Sequence, residues 1–473
     1  MGESATKWVK VIDQGRCIGC HACTVACKAE HDVPIGVTRT YVKQVETGHY
    51  PSVSRHFQVT RCNQCEDPPC VPVCPVTAMF IRPDGIVDFD REVCIGCKAC
   101  MAACPYDAIY ISPESHSAEK CNFCAHRIDQ GMEPACVAVC PVDAILVGDI
   151  GDPNTEVSRI IGRGKVDVRR PEKGTSPKLY YASDTTFARQ VRGAGARTQP
   201  TGLWSDPPAI GPQRATSPAA TMAAAMLAYD IPHHAPWDWR VSAYTWTKSI
   251  AAGAFAVPAL FMAGASTAAT IIALIFLGLT GILLVSDLSH PERFIRVLTR
   301  PQWRSWLARG AYFVSLYGLV LVIALFAPGA MRWPGIVLGA LTAVYTAFLF
   351  AQSKGRDLWQ NPLLPLHLLA QALLAGGAVA VLLGGAPTAL GIGLGVHLAL
   401  TVSEWLVAHP TADGARAFHN MVARTGYRIG VALTVLALLV TWAVPPLAAL
   451  AGLAGLLLYE HAFVQAGQSV PLS

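Results

Sequence analysis

The stretch CIGCHACTVAC, Cys17 to Cys27, decides how this chain is read. It places four cysteines, Cys17, Cys20, Cys23 and Cys27, in eleven residues. Three further groups of four follow: Cys62, Cys65, Cys70, Cys74; then Cys94, Cys97, Cys100, Cys104; then Cys121, Cys124, Cys136, Cys140. All 16 cysteines lie before residue 141 of a 473-residue chain.

Disulfides do not suit this pattern. Adjacent C-x2-C triplets give poor disulfide geometry, and no signal peptide points to an oxidising compartment. Zinc takes four ligands, usually from two C-x2-4-C knuckles, and a triplet with a fourth cysteine three residues on does not match. Groups one and three instead have the C-x2-C-x2-C-x3-C spacing of bacterial ferredoxins, in which three cysteines hold one 4Fe-4S cube and the fourth crosses to a neighbouring cube. Three groups end in Cys-Pro (Cys74-Pro75, Cys104-Pro105, Cys140-Pro141), as that pattern requires, whereas Lys28 follows Cys27. Four 4Fe-4S clusters are expected. The spacing alone leaves open which groups pair.

Composition divides the chain. Hydrophobic residues reach 52 % and charged residues only 15 %, well below the usual globular quarter. Residues 1–180 carry charge throughout; from about 240 onward the chain is runs of Ala, Leu, Val, Ile and Gly. One part is built for water and the other for lipid. The net charge of +5 comes without a dense Lys/Arg run, so no nucleic-acid partner is expected.

The segments CNQCEDPPCVPVCP (Cys62 to Pro75), DGIVDFDREVCIGCKACMAACP (Asp84 to Pro105) and KCNFCAHRIDQGMEPACVAVCP (Lys120 to Pro141) closely resemble the four-cluster electron-transfer subunit of complex iron–sulfur molybdoenzymes. The resemblance covers about 8–180. It implies that group one pairs with group four, and two with three. One cube would use Cys17, Cys20, Cys23 and Cys140; its partner Cys121, Cys124, Cys136 and Cys27. A third would use Cys62, Cys65, Cys70 and Cys104; the last Cys94, Cys97, Cys100 and Cys74. No cysteine is left over. Locally, TVACKAEH reads as a short helix, while GIVDFD (85–90) and AILVGDI (144–150) read as short strands. With little room for an apolar core, folding should depend on cluster insertion.

Residues 151–236 change texture. Arg159, Arg163, Lys165, Arg169, Arg170, Lys173 and Lys178 recur, as a solvated face or a docking face. Pro, Gly, Ser and Thr then dominate, and 186–235 reads as a linker.

Eight hydrophobic spans follow, at about 241–263, 267–286, 310–328, 333–352, 363–383, 388–408, 426–444 and 446–465, each near the ~20 residues that cross a bilayer. Trp237, Trp239, Trp303, Trp306, Trp333 and Trp359 sit at their ends. PWDWRVSAYTWTKSIAAG (Pro236 to Gly253) and SDLSHPERFIRVLTRPQWRSWLARGAY (Ser286 to Tyr312) resemble the polysulfide-reductase, or NrfD-type, membrane subunit. That resemblance implies a cofactor-free, quinone-binding anchor of eight or nine helices. The expected fold is therefore an α+β ferredoxin-like iron–sulfur domain of two pseudo-repeated bacterial-ferredoxin units (1–185), the linker, and an all-α eight-helix transmembrane bundle (236–473).

Ionisable groups inside lipid are costly and so mark function. Tyr244 and Lys248 share a face of the first span, and Asp287, His290 and Arg293 cluster after the second. These five are the quinone-binding candidates. Glu404, with His397 two turns earlier, is the proton-path candidate. Lys248 snorkelling and an Asp287–Arg293 pair across the turn are the plainer readings. Haem b is the rival occupant, but only His367, His397 and His461 lie inside spans, too few for two bis-histidine haems.

With eight spans, the turns on the iron–sulfur side carry Arg293, Arg296, Arg300, Arg304, Arg309, Lys354, Arg356, Arg416 and Arg424, against Arg332 on the other side. The positive-inside rule then puts the iron–sulfur domain on the cytoplasmic face of a bacterial inner membrane. The lack of a twin arginine or hydrophobic signal agrees; a periplasmic domain exported with a partner is the alternative. The chain reads as an electron-transfer and anchor subunit. It would pass electrons between a separate large catalytic subunit, holding molybdenum or tungsten pterin, and the quinone pool (menaquinone or ubiquinone), within a higher-order complex. Formate or a sulfur compound is the substrate class. The alternatives are a quinol-oxidising module of the alternative complex III type and a redox-driven ion-translocating module.

Overall fold

A computed structural model describes residues 6–49, 51–183, 226–261, 266–407 and 409–472. In the first half, β1 (Trp8–Asp13), α1 (Ala22–His31), β2 (Thr40–His49), β3 (Ser52–Arg61), β4 (Met79–Ile81), β5 (Val87–Phe89), α2 (Ala99–Ala103), β6 (Ile109–Ile111), β7 (Ala118–Lys120), α3 (Ala125–Ile128), α4 (Ala135–Ala138), β8 (Ile145–Asp149), α5 (Glu156–Gly162), β9 (Val166–Asp167) and β10 (Leu179–Ala182) follow in order. One sheet has strand order β8-β1-β10-β9. In it Val11 faces Leu146 on one side and Tyr180 on the other. The β2–β3 hairpin takes β11 (Met226–Tyr229) on its free edge. Most of the expected linker 186–235 lies outside the described residues. Its end does not behave as linker, because β11 pairs with β2.

The two C-x2-C-x2-C loops share one backbone. Gly19 and Gly96 both take φ +69°, and His21 and Lys98 take φ 61° and 62°. Helices start immediately after, at Ala22 and Ala99. A positive φ is cheap only for glycine, and it curls each loop so that three cysteines share one side. The helix expected from TVACKAEH is α1, begun two residues earlier by this turn. The two expected strands are β5 and β8.

The second half contains α6 (Trp239–Phe261), α7 (Thr267–Ser286), α8 (Arg296–Thr299), α9 (Trp306–Ala324), α10 (Pro328–Gln352), α11 (Leu364–Leu382), α12 (Thr388–Leu406), α13 (Ala412–Ala423), α14 (Thr425–Val440) and α15 (Pro445–Gly467). Among the described residues, six helices are long and apolar enough to cross a membrane; α13 and α14, bent by 70° at their break, would make a seventh. The expectation of eight is therefore met only as six or seven. The first expected span is the 23-residue helix α6. Arg240, Thr245, Lys248 and Ser249 make it less apolar than its neighbours, and most of it is buried inside the bundle. Ser266 and Ser305 side chains accept the N–H groups of Ala269 and Ala308 and cap α7 and α9. The Ser305 cap moves the start of α9 ahead of the expected 310. Glycines let backbones meet: a Cβ at Gly253 of α6 would lie 2.0 Å from the Ala372 carbonyl oxygen of α11.

The two halves share an extensive seam. Ser289 and His290 donate backbone N–H groups to the carbonyls of Gly96 and Ile95, and Gln302 donates to that of Pro75. Ser305 Oγ donates to the Val73 carbonyl at 2.8 Å. Arg170 pairs with Asp413 at 3.2 Å, and Lys173 pairs with Asp357. These two members of the basic run therefore face the bundle.

Candidate functional site

Two cavities are lined by the sets the resemblance implied. Cys62, Cys65, Cys70 and Cys104 line one, with Pro68 and Tyr106. Cys74, Cys94, Cys97 and Cys100 line the other, with Pro75 and Met79. These are the third and fourth cages. In the remaining eight, Cys17 has Cys140 and Cys20 as charged neighbours, and Cys27 has Cys121, Cys136 and Cys124. These neighbours fall within the other two sets the resemblance implied: a first cage of Cys17, Cys20, Cys23 and Cys140, and a second of Cys121, Cys124, Cys136 and Cys27. All 16 cysteines are free thiols. Four thiols lining one void suit a cube.

Burial pushes the Cys27 and Cys65 thiols up to about 12 and that of Cys104 to about 11. Such thiols give up their protons when a metal centre takes their place. Cys136 moves the other way from these three: burial would raise it, but Arg61 and Lys10 hold it down to about 7.

The cages form a row. Cys23 adjoins Cys136, linking the first and second. Cys62 adjoins Cys121, linking third and second. Cys100 adjoins Cys70, linking fourth and third. The first cage is the open end: Cys20 is exposed, and Ile18, Val25 and Ile35 stand exposed near it in sequence. The fourth cage is the membrane end. Trp237 Nε1 donates to the Cys97 carbonyl at 3.1 Å, and Arg293 Nη1 to the Cys94 carbonyl at 3.0 Å. Lys98 Nζ lies 2.9 Å from the Asp287 carboxylate.

The five quinone candidates fall in two places. Asp287, His290 and Arg293 sit on the seam. His290 Nε2 is 2.8 Å from the Ser115 carbonyl, so these three grip the iron–sulfur domain. Asp287 pairs with Lys98 instead of Arg293. Tyr244 and Lys248 are buried in α6. Lys248 does not snorkel: its Nζ donates to the Ala343 carbonyl at 2.8 Å and to Thr346 Oγ1 at 2.6 Å. Its nearest counter-charge is Glu460 of α15, whose Oε1 has no protein partner. Sequence reading missed Glu460, although a lone carboxylate within a span was the available signal.

Glu404 belongs to a buried network. Tyr459 donates to its Oε2 at 3.1 Å, His367 Nδ1 lies 3.4 Å from its Oε1, and His367 Nε2 lies 2.8 Å from His397 Nδ1. The two histidines are thus bonded directly to each other.

Four cysteine cages in a row, ending on a bundle of apolar helices, define an iron–sulfur electron-transfer protein with a membrane domain. Comparison with known proteins agrees. Residues 8–29 match the 4Fe-4S binding domain, 53–150 the 4Fe-4S dicluster domain, and 230–386 polysulphide reductase, NrfD. A tetrathionate reductase subunit of Salmonella typhimurium is 42 % identical over 210 residues, 43 % of this chain and 82 % of the relative. A polysulfide reductase chain of Wolinella succinogenes is 42 % identical over 180 residues, 37 % of this chain and 94 % of the relative. The thiosulfate reductase electron transfer subunit of Salmonella typhi is 41 % identical over 183 residues, 38 % and 94 % of the two chains. The protein belongs to the family of these reductase subunits, here continued into an NrfD-type membrane domain.

Proposed function

We propose that this chain is both wire and anchor of a membrane-bound reductase complex for a sulfur compound. It would pass electrons between the quinone pool and a separate molybdopterin catalytic subunit. The single observation that carries this reading is the row of four cages running from an exposed end to the bundle. The clusters, when bound, supply one-electron carriers; all 16 cysteines are their ligands. The chain's own residues do the rest. Trp237, Asp287, His290 and Arg293 fix the fourth cage on the bundle. Tyr244 and Lys248, hydrogen-bond donors just beneath it, hold a quinone. Glu404, Tyr459, His367 and His397 move its protons. The exposed Ile18, Val25 and Ile35, near Cys20 in sequence, would receive the catalytic subunit. The relatives named above are subunits of tetrathionate, polysulfide and thiosulfate reductases; they give formate no support, and the sulfur-compound class is kept.

The iron–sulfur domain faces the cytoplasm in this reading. Arg293 and Arg296 grip its carbonyls, and Arg356 holds the carbonyls of Gln468 and Val470. The charge bias therefore rests on Arg300, Arg304, Arg309, Lys354, Arg416 and Arg424. A second reading, redox-driven ion movement, is favoured by the buried Lys248–Glu460 pair; Glu404→Gln would then abolish ion movement and leave electron transfer intact.

The test is metal and partner analysis of the native complex, drawn in mild detergent through a tag on this chain. Roughly sixteen irons per chain, with molybdenum or tungsten and a large second chain, are expected. Haem c without either metal would make this a quinol-oxidising module of the alternative complex III type.

A further inference from the structure

Arg61 closes β3 and is 1 % exposed. Its Nη1 donates to Cys136 Sγ at 2.8 Å, while Nε and Nη2 find no protein acceptor. Lys10 of β1 is 2 % exposed. Its Nζ lies 3.9 Å from the same sulfur and 4.1 Å from the Phe123 ring centroid. His31, the last residue of α1, places Nε2 3.1 Å from Cys124 Sγ. Three side chains thus reach two sulfurs of the second cage.

Among the described residues, no carboxylate pairs with Arg61 or Lys10; the charged neighbours of Arg61 are Cys136, Cys121 and Cys23. Buried cations without a counter-ion are strongly destabilising. The balancing charge must be the thiolate set and the anionic cube it holds.

The other cages are served differently. The N–H groups of Ala78, Gly96, Ala118 and Ala144 donate to Cys74, Cys94, Cys94 and Cys140, and the Thr175 hydroxyl faces Cys65. All are neutral. Lys120 adjoins Cys62 and Cys70 but gives its Nζ to the Val87 and Cys121 carbonyls. Arg61 reaches Cys17 and Cys23 of the first cage only through space.

We infer that Arg61, helped by Lys10 and His31, makes the second cage the highest-potential station of the wire, one step in from its exposed end. The inference rests on the reading of the cysteines as cluster ligands. Reduction adds one electron and changes no bond, so the cage becomes one charge more negative. A fixed cation within hydrogen-bonding distance favours that state, and the buried setting weakens screening. A quinol releases two electrons and the wire carries them singly; this station keeps one beside the outlet. Arg61 acts through Cys136 as a positioning residue for charge.

The experiment is a redox titration followed by electron paramagnetic resonance on the native complex, with iron counted per chain. Arg61→Gln should keep the iron of four cubes. It should shift one signal, the first reduced in the parent protein, at least tenfold toward the oxidised form, about 59 mV downward. Arg61→Lys should shift it less. Four cubes retained with no signal moved, or a different signal moved, overturns the inference. If Arg61→Gln loses iron, Lys10→Gln and His31→Gln carry the test; each must lower that same signal alone, and failure of either overturns it. Fewer than four cubes in the parent protein would instead overturn the ligand reading beneath it.

Discussion

The Lys98–Asp287 pair shows how single residues hold the fourth cage on the bundle. Lys98 Nζ reaches both the Asp287 carboxylate and its backbone carbonyl at 2.9 Å, and the two side chains are only 18 % and 9 % exposed. Asp287→Asn leaves a largely buried ammonium with a weaker partner, a loss of about 1.5–3 kcal/mol. The thermal midpoint for bleaching of the cluster chromophore should fall, with iron content unchanged at room temperature. A second residue gives a pH dependence. Burial would lower the His233 imidazolium, but Asp107 and Asp230 raise it to about 9, against the usual ~6.5. Because the folded value is raised, this contribution is fully present below about pH 6.5 and is lost as pH climbs through about 9. It is on the order of 3 kcal/mol. The stability lead of the parent protein over His233→Gln should therefore shrink between pH 7 and 10 in thermal melts; a constant lead would refute the bridge. At this scale the cysteines were legible because their spacing is local. Arg61 was not, since Cys136 lies 75 positions away. Nor did Asp287 or Arg293 reveal, by sequence, that they face the iron–sulfur domain and not each other.

Among elements, the crossing of α6 and α11 is the tightest statement the bundle makes. A Cβ at Gly376 would sit 2.2 Å from the Gly253 carbonyl oxygen, so the helices touch backbone to backbone, as small residues allow. Gly376→Val should separate them and cost several kcal/mol through overpacking. Gly281→Val, where a Cβ meets nothing within 4 Å, should melt like the parent protein in detergent. Equal melting of both variants would contradict the crossing. Hydropathy located the long apolar helices to within a few residues. Each of the eight expected spans coincides with a helix, but α6, with its polar first half, is not among the six long and apolar enough to cross a membrane, and α14 counts only when joined to α13 across the 70° bend. The end of the expected linker was misread because the pairing of Met226–Tyr229 with β2 is a long-range choice that local composition does not encode.

For the molecule as a whole, the consequence is direction. One end of the cage row is open at Cys20 and the other is clasped by Trp237, Arg293 and Lys98 on the bundle. Wire and membrane domain therefore act as one body, and the electron path has two defined ends. The division into a watery half with all the cysteines and a lipid half without any was plain from composition; the order of the cages was not, because it depends on which thiols the fold brings together. The most direct measurement of the central claim is the reduction of the clusters by a quinol in the purified complex, followed by loss of their visible absorbance. The account predicts that a reduced quinone analogue bleaches the clusters of the parent protein. It also predicts that Lys248→Met slows this at least tenfold while dithionite bleaches both proteins alike. Clusters that dithionite reduces but quinol leaves oxidised would contradict it.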